Sequence, residues 1–131
     1  QDFKLLNDRT VFDNVALPLR IEGYSKNQII DLVKEALNKV TLSNYESSYP
    51  FQLSGGEQQR VCIARALVKK PKIILADEPT GNLDPNISDE ILDLLEICTD
   101  NGSTVLMSTH NFPLIKPRNK KFIELSQGRM I

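Results

Sequence analysis

Over the first seventy residues, apolar side chains recur at three- and four-residue intervals, the period of helices packed on one side. Thr10 can cap a turn beginning Val11-Phe12-Asp13, and Pro18 with Gly23 is expected to end or kink it. Ser25 with Gln28 three residues later makes a capping box, and Ile29, Val33, Ala36, Leu37 and Val40 follow at helical spacing. A third helix is predicted from Ser54, again with a capping partner three positions on in Glu57. It should run to about Lys69, where Pro71 stops it.

After Pro71 the period shortens. The apolar runs 72–76, 103–108 and 121–125 read as β-strands. Between the first two, Asp84 can cap and Pro85 can open a helix whose apolar stripe is Ile87, Ile91, Leu94, Leu95 and Cys98, with Gly102 closing it. Residues 126–129 read as a hairpin turn before Met130 and Ile131. Strand, helix and strand in this order predict an α/β fold with parallel strands.

Composition narrows the function classes. Sixteen basic against seventeen acidic side chains give a net charge of −1, so no global positive field draws in a phosphate backbone, and nucleic-acid binding is not expected. The signs are unevenly placed, because 73–115 contains no Lys or Arg. The clusters Lys69-Lys70-Lys72 and Lys116-Arg118-Lys120-Lys121 read as solvated surface. Cys62 and Cys98 form no C-x-x-C, and His110 is the only histidine, which argues against zinc or a disulfide framework and favours a reduced, cytosolic setting. No apolar run approaches the roughly 20 residues needed to cross a bilayer, so any membrane link is expected through a partner. A first residue of Gln rather than Met suggests a piece of a longer protein.

Three constellations carry chemistry. In Leu53-Ser54-Gly55-Gly56-Glu57-Gln58-Gln59-Arg60, two glycines follow a capping serine, so free backbone N–H groups and the positive end of a helix dipole can approach an anion. An ordinary capping box would explain Ser54 and Glu57, yet such a cap gains nothing from two glycines that each cost roughly 1 kcal/mol relative to Ala. The pair therefore points to a phosphate ligand. Next, the strand ending in Asp77-Glu78-Pro79-Thr80 delivers adjacent carboxylates where open α/β sheets bind ligands: one can hold a metal and the other can act on water. Oxygen donors favour Mg²⁺ over zinc. Finally, the strand before Ser108-Thr109-His110 brings a single imidazole to what a parallel sheet would make the same edge.

Together these elements resemble the ATP-binding-cassette (ABC) ATPases across essentially the whole chain. Leu53-Ser54-Gly55-Gly56-Glu57-Gln58 matches that family's signature motif, 73–77 with Glu78 its Walker B strand and catalytic carboxylate, and Gly81-Asn82-Leu83-Asp84 its D-loop. His110 falls at the switch histidine and Gln1-Asp2-Phe3 at the Q-loop. Asn111 departs from the pattern, since Asp usually follows the histidine. Residues 1–6, 8–16 and 76–84 look most like the family's cell-division branch; its lipoprotein-release and macrolide-export branches share much of the pattern.

The resemblance implies a partial P-loop NTPase fold: a Q-loop and helical signature subdomain at 1–70, then at 71–131 the Walker B part of a mainly parallel sheet. It implies a head-to-tail homodimer around ATP and Mg²⁺. Ser54, Gly55, Gly56 and Glu57 of one subunit would face the γ-phosphate held by the other, with Asp84 at the seam. Asp77 would bind Mg²⁺ through water, Glu78 would polarise the attacking water, and Gln1 and His110 would contact the metal or the γ-phosphate. An integral membrane subunit would dock on 7–52, placing the protein at the cytoplasmic face of the membrane. No G-x-x-x-x-G-K-[ST] loop occurs in these residues; it would precede Gln1, and the 131 residues alone are expected to be inactive. The resemblance also places missing strands beside those at 73–76 and 104–108, which predicts exposed apolar strand edges and a self-associated or rearranged fragment. Two alternatives from other classes are a soluble ABC ATPase acting on nucleic acid or ribosomes, disfavoured by the short stretch between Gln1 and Leu53, and a non-catalytic interaction module.

Overall fold

The computed structural model describes residues 3–131. Gln1, the expected Q-loop glutamine, lies outside the described residues.

Helix α1, Val11–Ile21, starts where Thr10 Oγ1 accepts the Asp13 backbone N–H at 3.1 Å. It passes through Pro18 instead of stopping there, since proline costs a helix one backbone bond while Leu19 beyond it is fully buried. The reversal comes at Gly23, whose φ of +79° suits glycine. The Ser25–Gln28 capping box opens α2, Lys26–Lys39, and the Ser54–Glu57 box opens α3, Gly55–Leu67. A 3₁₀ turn at Pro50–Gln52 leads into α3. Val11, Val15, Leu19, Val33, Leu37, Val61 and Ala64 from these three helices pack with no exposed surface, joined by Ile91. Burying each larger side chain of this set contributes about 1.5–3 kcal/mol.

The second half is a β-α-β unit. Strand β1, Ile73–Asp77, pairs in parallel with β2, Thr104–Ser108, and α4, Pro85–Asp100, is the crossover. Asp84 caps α4, its Oδ1 accepting N–H bonds from Asn86 at 3.0 Å and Ile87 at 3.1 Å. Register sets Leu75 opposite Leu106 and Asp77 opposite Ser108. Ile74 is buried on one face, whereas Leu75 and Leu106, side by side on the other, are 76% and 59% exposed.

Beyond β2 come a short helix α5, Phe112–Ile115, and a 3₁₀ turn, Lys116–Arg118. The expectation of a strand over 121–125 needs correcting. Only Leu125–Ser126 is extended and paired, as β3 against β4, Arg129–Met130. A strand persists only with a neighbour to take its backbone bonds; among the described residues 121–124 pair with no strand, and the Ile131 N–H on the Glu124 carbonyl at 3.1 Å is the bond that borders the hairpin. The hairpin turn is as predicted: Gln127 and Gly128 have φ of +47° and +75°, the sign pattern of a type I′ turn.

Candidate functional site

Parallel pairing brings three of the sequence-predicted residues to one sheet edge. Asp77 is the last residue of β1, and its Oδ1 accepts the Ser108 hydroxyl from the end of β2 at 2.5 Å. Glu78 continues the ladder by donating its N–H to the Ser108 carbonyl at 3.1 Å. Its own φ is +45°, a left-handed turn that costs a non-glycine residue about 1–2 kcal/mol. The turn sends its carboxylate toward β2. There Oε1 accepts the His110 backbone N–H at 2.9 Å and lies 2.8 Å from Nδ1 of the same ring. A carboxylate only accepts, so this contact calls for a proton on Nδ1. The Glu78 side chain is 19% exposed, while that of His110 is 81% exposed. Oε2 of Glu78 has no hydrogen-bond partner among the described residues.

The signature residues and Asp84 form a second group, at the N-termini of α3 and α4. The Glu57 carboxylate accepts the Ser54 N–H at 2.8 Å and the Ser54 hydroxyl at 3.0 Å, and the Glu57 N–H is donated back to Ser54 Oγ. The Ser54 N–H above all, with the Tyr45 and Ser54 hydroxyls and the Arg60 charge, outweighs burial and holds Glu57 below its usual range. Gly55 is exposed, and a Cβ there would meet Leu83 Cδ2 at 3.6 Å, an ordinary van der Waals distance. Gly56 is buried, and a Cβ there would meet Ile87 Cγ2 at 2.6 Å. Its missing side chain thus has a packing reason, closeness of α3 to α4, that the sequence argument for a phosphate ligand leaves out.

Among the described residues no hydrogen bond or ion pair joins the sheet-edge group to the signature group. The turn 79–83 connects them along the chain, with the Gly81 N–H on the Glu78 carbonyl at 2.9 Å. Asn111 donates its backbone N–H to Thr109 Oγ1 at 3.0 Å, and its side chain caps nothing in α5.

Sequence reasoning missed three participants. Ser108 becomes the partner of Asp77 only through strand register, which no spacing reveals. Tyr45 reaches Glu57 from the loop before α3. Arg118 is no solvated cation: its side chain is 16% exposed and ion-paired with Asp89, Asp93 and Glu96. Lys69, Lys70 and Lys120 also hold acidic partners, in Glu22, Glu35 and Glu96. No helix among the described residues is long and apolar enough to cross a membrane, and no group of three or more His, Cys, Asp or Glu side chains gathers there as a metal cage.

The model of the ABC transporter family matches residues 1–81. The chain is 50% identical over 131 residues, its whole length and 57% of the relative's, to the cell division ATP-binding protein FtsE of Mycobacterium tuberculosis. It is 54% identical over 130 residues, 99% of its length and 59% of the relative's, to FtsE of Escherichia coli K12. It thus spans less than two thirds of these relatives. Among solved structures, a dimeric bacterial ABC transporter cassette superposes with a TM-score of 0.76 at 39% identity, over 88% of this chain and 52% of that one. CbiO1 of Clostridium perfringens, part of the CbiONQ transporter complex, superposes with a TM-score of 0.89 at 29% identity, over 98% of this chain and 51% of that one. With the β-α-β edge, the capped glycine helix and these likenesses in hand, the chain belongs to the ABC transporter family.

Proposed function

We propose that this chain supplies the signature helix and the hydrolytic edge of an ATP-hydrolysing subunit in an ABC-type membrane complex that acts in cell division. The carrying observation is the Glu78 carboxylate, turned by its left-handed backbone onto the main chain and ring of His110 and next to Asp77. With Oε1 committed to His110, Oε2 is the oxygen that would orient and deprotonate an attacking water.

Asp77 fits a magnesium ion in donor chemistry: an exposed carboxylate, oriented by Ser108, of the hard-oxygen type that holds Mg²⁺ together with substrate phosphates and water. Bound there, the ion would supply neutralisation of charge on the ATP phosphates. Gln1 would add a further contact to metal or γ-phosphate. On this reading residues 1–70 form the helical part and 71–131 the core part. Ser54, Gly55, Gly56 and Glu57 of one subunit complete the nucleotide site of a second, with Asp84 at the seam. Splitting the phosphate contacts between subunits makes hydrolysis depend on closure, because phosphoryl transfer needs positioning and charge stabilisation. The likeness to FtsE supports an FtsX-like membrane subunit as partner, at the cytoplasmic face of the membrane, with closure transmitted across it.

The test is Glu78→Gln in the full-length protein. Glutamine keeps an oxygen for the His110 N–H but cannot take a proton, so ATP and Mg²⁺ still bind while hydrolysis falls about 10²–10⁴-fold. An unchanged rate removes Glu78 from this role.

A further inference from the structure

We propose that Arg118 is a positioning residue for hydrolysis, clamping the segment after His110 onto the helix that Asp84 caps. This inference rests on the reading of Glu78 and His110 given above.

The segment 111–118 leaves the site with little to hold it. Neither α5 nor the following 3₁₀ turn contains a buried residue, and Phe112, 51% exposed, has an edge contact with Phe122 at 5.4 Å between ring centres. Ordering a backbone costs conformational entropy, so such a tether stays placed only if its far end is fixed. Arg118 fixes it. One guanidinium nitrogen donates to Asp93 Oδ1 at 2.7 Å and Glu96 Oε1 at 3.1 Å; the other donates to the side chain of Asp89 at 2.9 Å and to its carbonyl at 3.2 Å. All three acidic residues lie on one side of α4, and a planar fork of fixed donors suits them better than a point charge. The Arg118 bond also holds the Glu96 carboxyl below its usual range.

The two cross-links close a ring. From Glu78 the chain runs through the turn 79–83 to Asp84 and down α4 to Asp89, Asp93 and Glu96; Arg118 then returns it along 111–117 to His110, which bonds Glu78. Opening the ring at Arg118 leaves the segment that carries His110 tied to α4 through the half-exposed Lys120–Glu96 pair beyond it and so loosens it, while every group at the sheet edge stays chemically intact. The expected signature is a loss of rate without a loss of nucleotide affinity.

The experiment uses the full-length protein and two readouts. In Arg118→Met, kcat for ATP falls at least tenfold with KM within twofold of wild type, and the His110 amide, whose N–H is held by Glu78 Oε1, exchanges with deuterium at least tenfold faster. Arg118→Lys, which keeps the charge but loses the fork, lies between. Asp93→Ala removes one acceptor while Asp89 and Glu96 remain; it moves both readouts in the same direction and serves if Arg118→Met does not fold. Unchanged His110 exchange in a folded variant overturns the proposal whatever hydrolysis does, as does faster exchange with unaltered kcat in an active enzyme. A wild type that hydrolyses no ATP defeats the proposed function instead, and the exchange measurement still decides the clamp.

Discussion

Gly56 on α3 and Ile87 on α4 stand so close that a Cβ on the glycine would fall 2.6 Å from Cγ2 of the isoleucine. That atom is bonded to the Ile87 Cβ and cannot swing clear as the tip of a long side chain would. Gly56→Ala in the full-length protein is therefore expected to destabilise it by about 1–3 kcal/mol through overpacking. Adding Ile87→Ala should recover part of the loss, and the double-mutant cycle measured by urea denaturation reads the coupling. Additive effects would show that the contact does not limit the approach of the helices.

Asn14 is completely buried, its Oδ1 accepting the Leu6 N–H at 2.8 Å and its Nδ2 facing the carbonyls of Leu6, Arg9 and Thr10 at 3.0–3.2 Å. It pins the loop before α1 to that helix. Asn14→Leu takes the partner from the Leu6 N–H and the Arg9 carbonyl, whereas the Leu6 and Thr10 carbonyls keep backbone donors at residues 9 and 14; it is expected to cost about 1–3 kcal/mol, read as a lower denaturation midpoint. A neutral result would mean that water replaces the side chain.

Glu57 gives the signature helix an acid-sensitive cap. Its carboxyl is held below the ordinary value of 4.5, first by the Ser54 N–H. The folded protein thus prefers the ionised form, so this stabilisation is complete above the unfolded-state value and fades as pH drops through the folded one. Glu57→Gln, which can still close a capping box, should flatten the acid side of the stability profile below about pH 4.5. Parallel profiles for the two proteins would refute the assignment.

Leu75 and Leu106, paired across β1 and β2, leave an apolar face open to solvent. The 131 residues by themselves are expected to self-associate, and, lacking a G-x-x-x-x-G-K-[ST] loop, to turn over no ATP. Light scattering should show species larger than a monomer, reduced by Leu75→Glu. A monomer at high concentration, or steady turnover by these residues alone, would contradict one expectation or the other.

Local rules reached far into this chain. Caps at Thr10, Ser25, Ser54 and Asp84 mark the starts of α1 to α4, because a side chain bonding an N–H two or three residues away is written in neighbouring letters. The same locality made the carboxylates after β1 and the histidine after β2 visible as candidates. What adjacency could not supply was anything depending on distant partners. The run 121–124 has strand composition but pairs with no strand, Ser108 meets Asp77 through register, and Gly56 is shaped by a helix thirty residues on. Arg118, one letter in a basic cluster, becomes an anchor only once α4 has folded and lines up Asp89, Asp93 and Glu96 beneath it. Spacing along the chain sets which groups are available; pairing and packing between remote segments set which of them meet, because those contacts form only when the intervening chain has closed on itself.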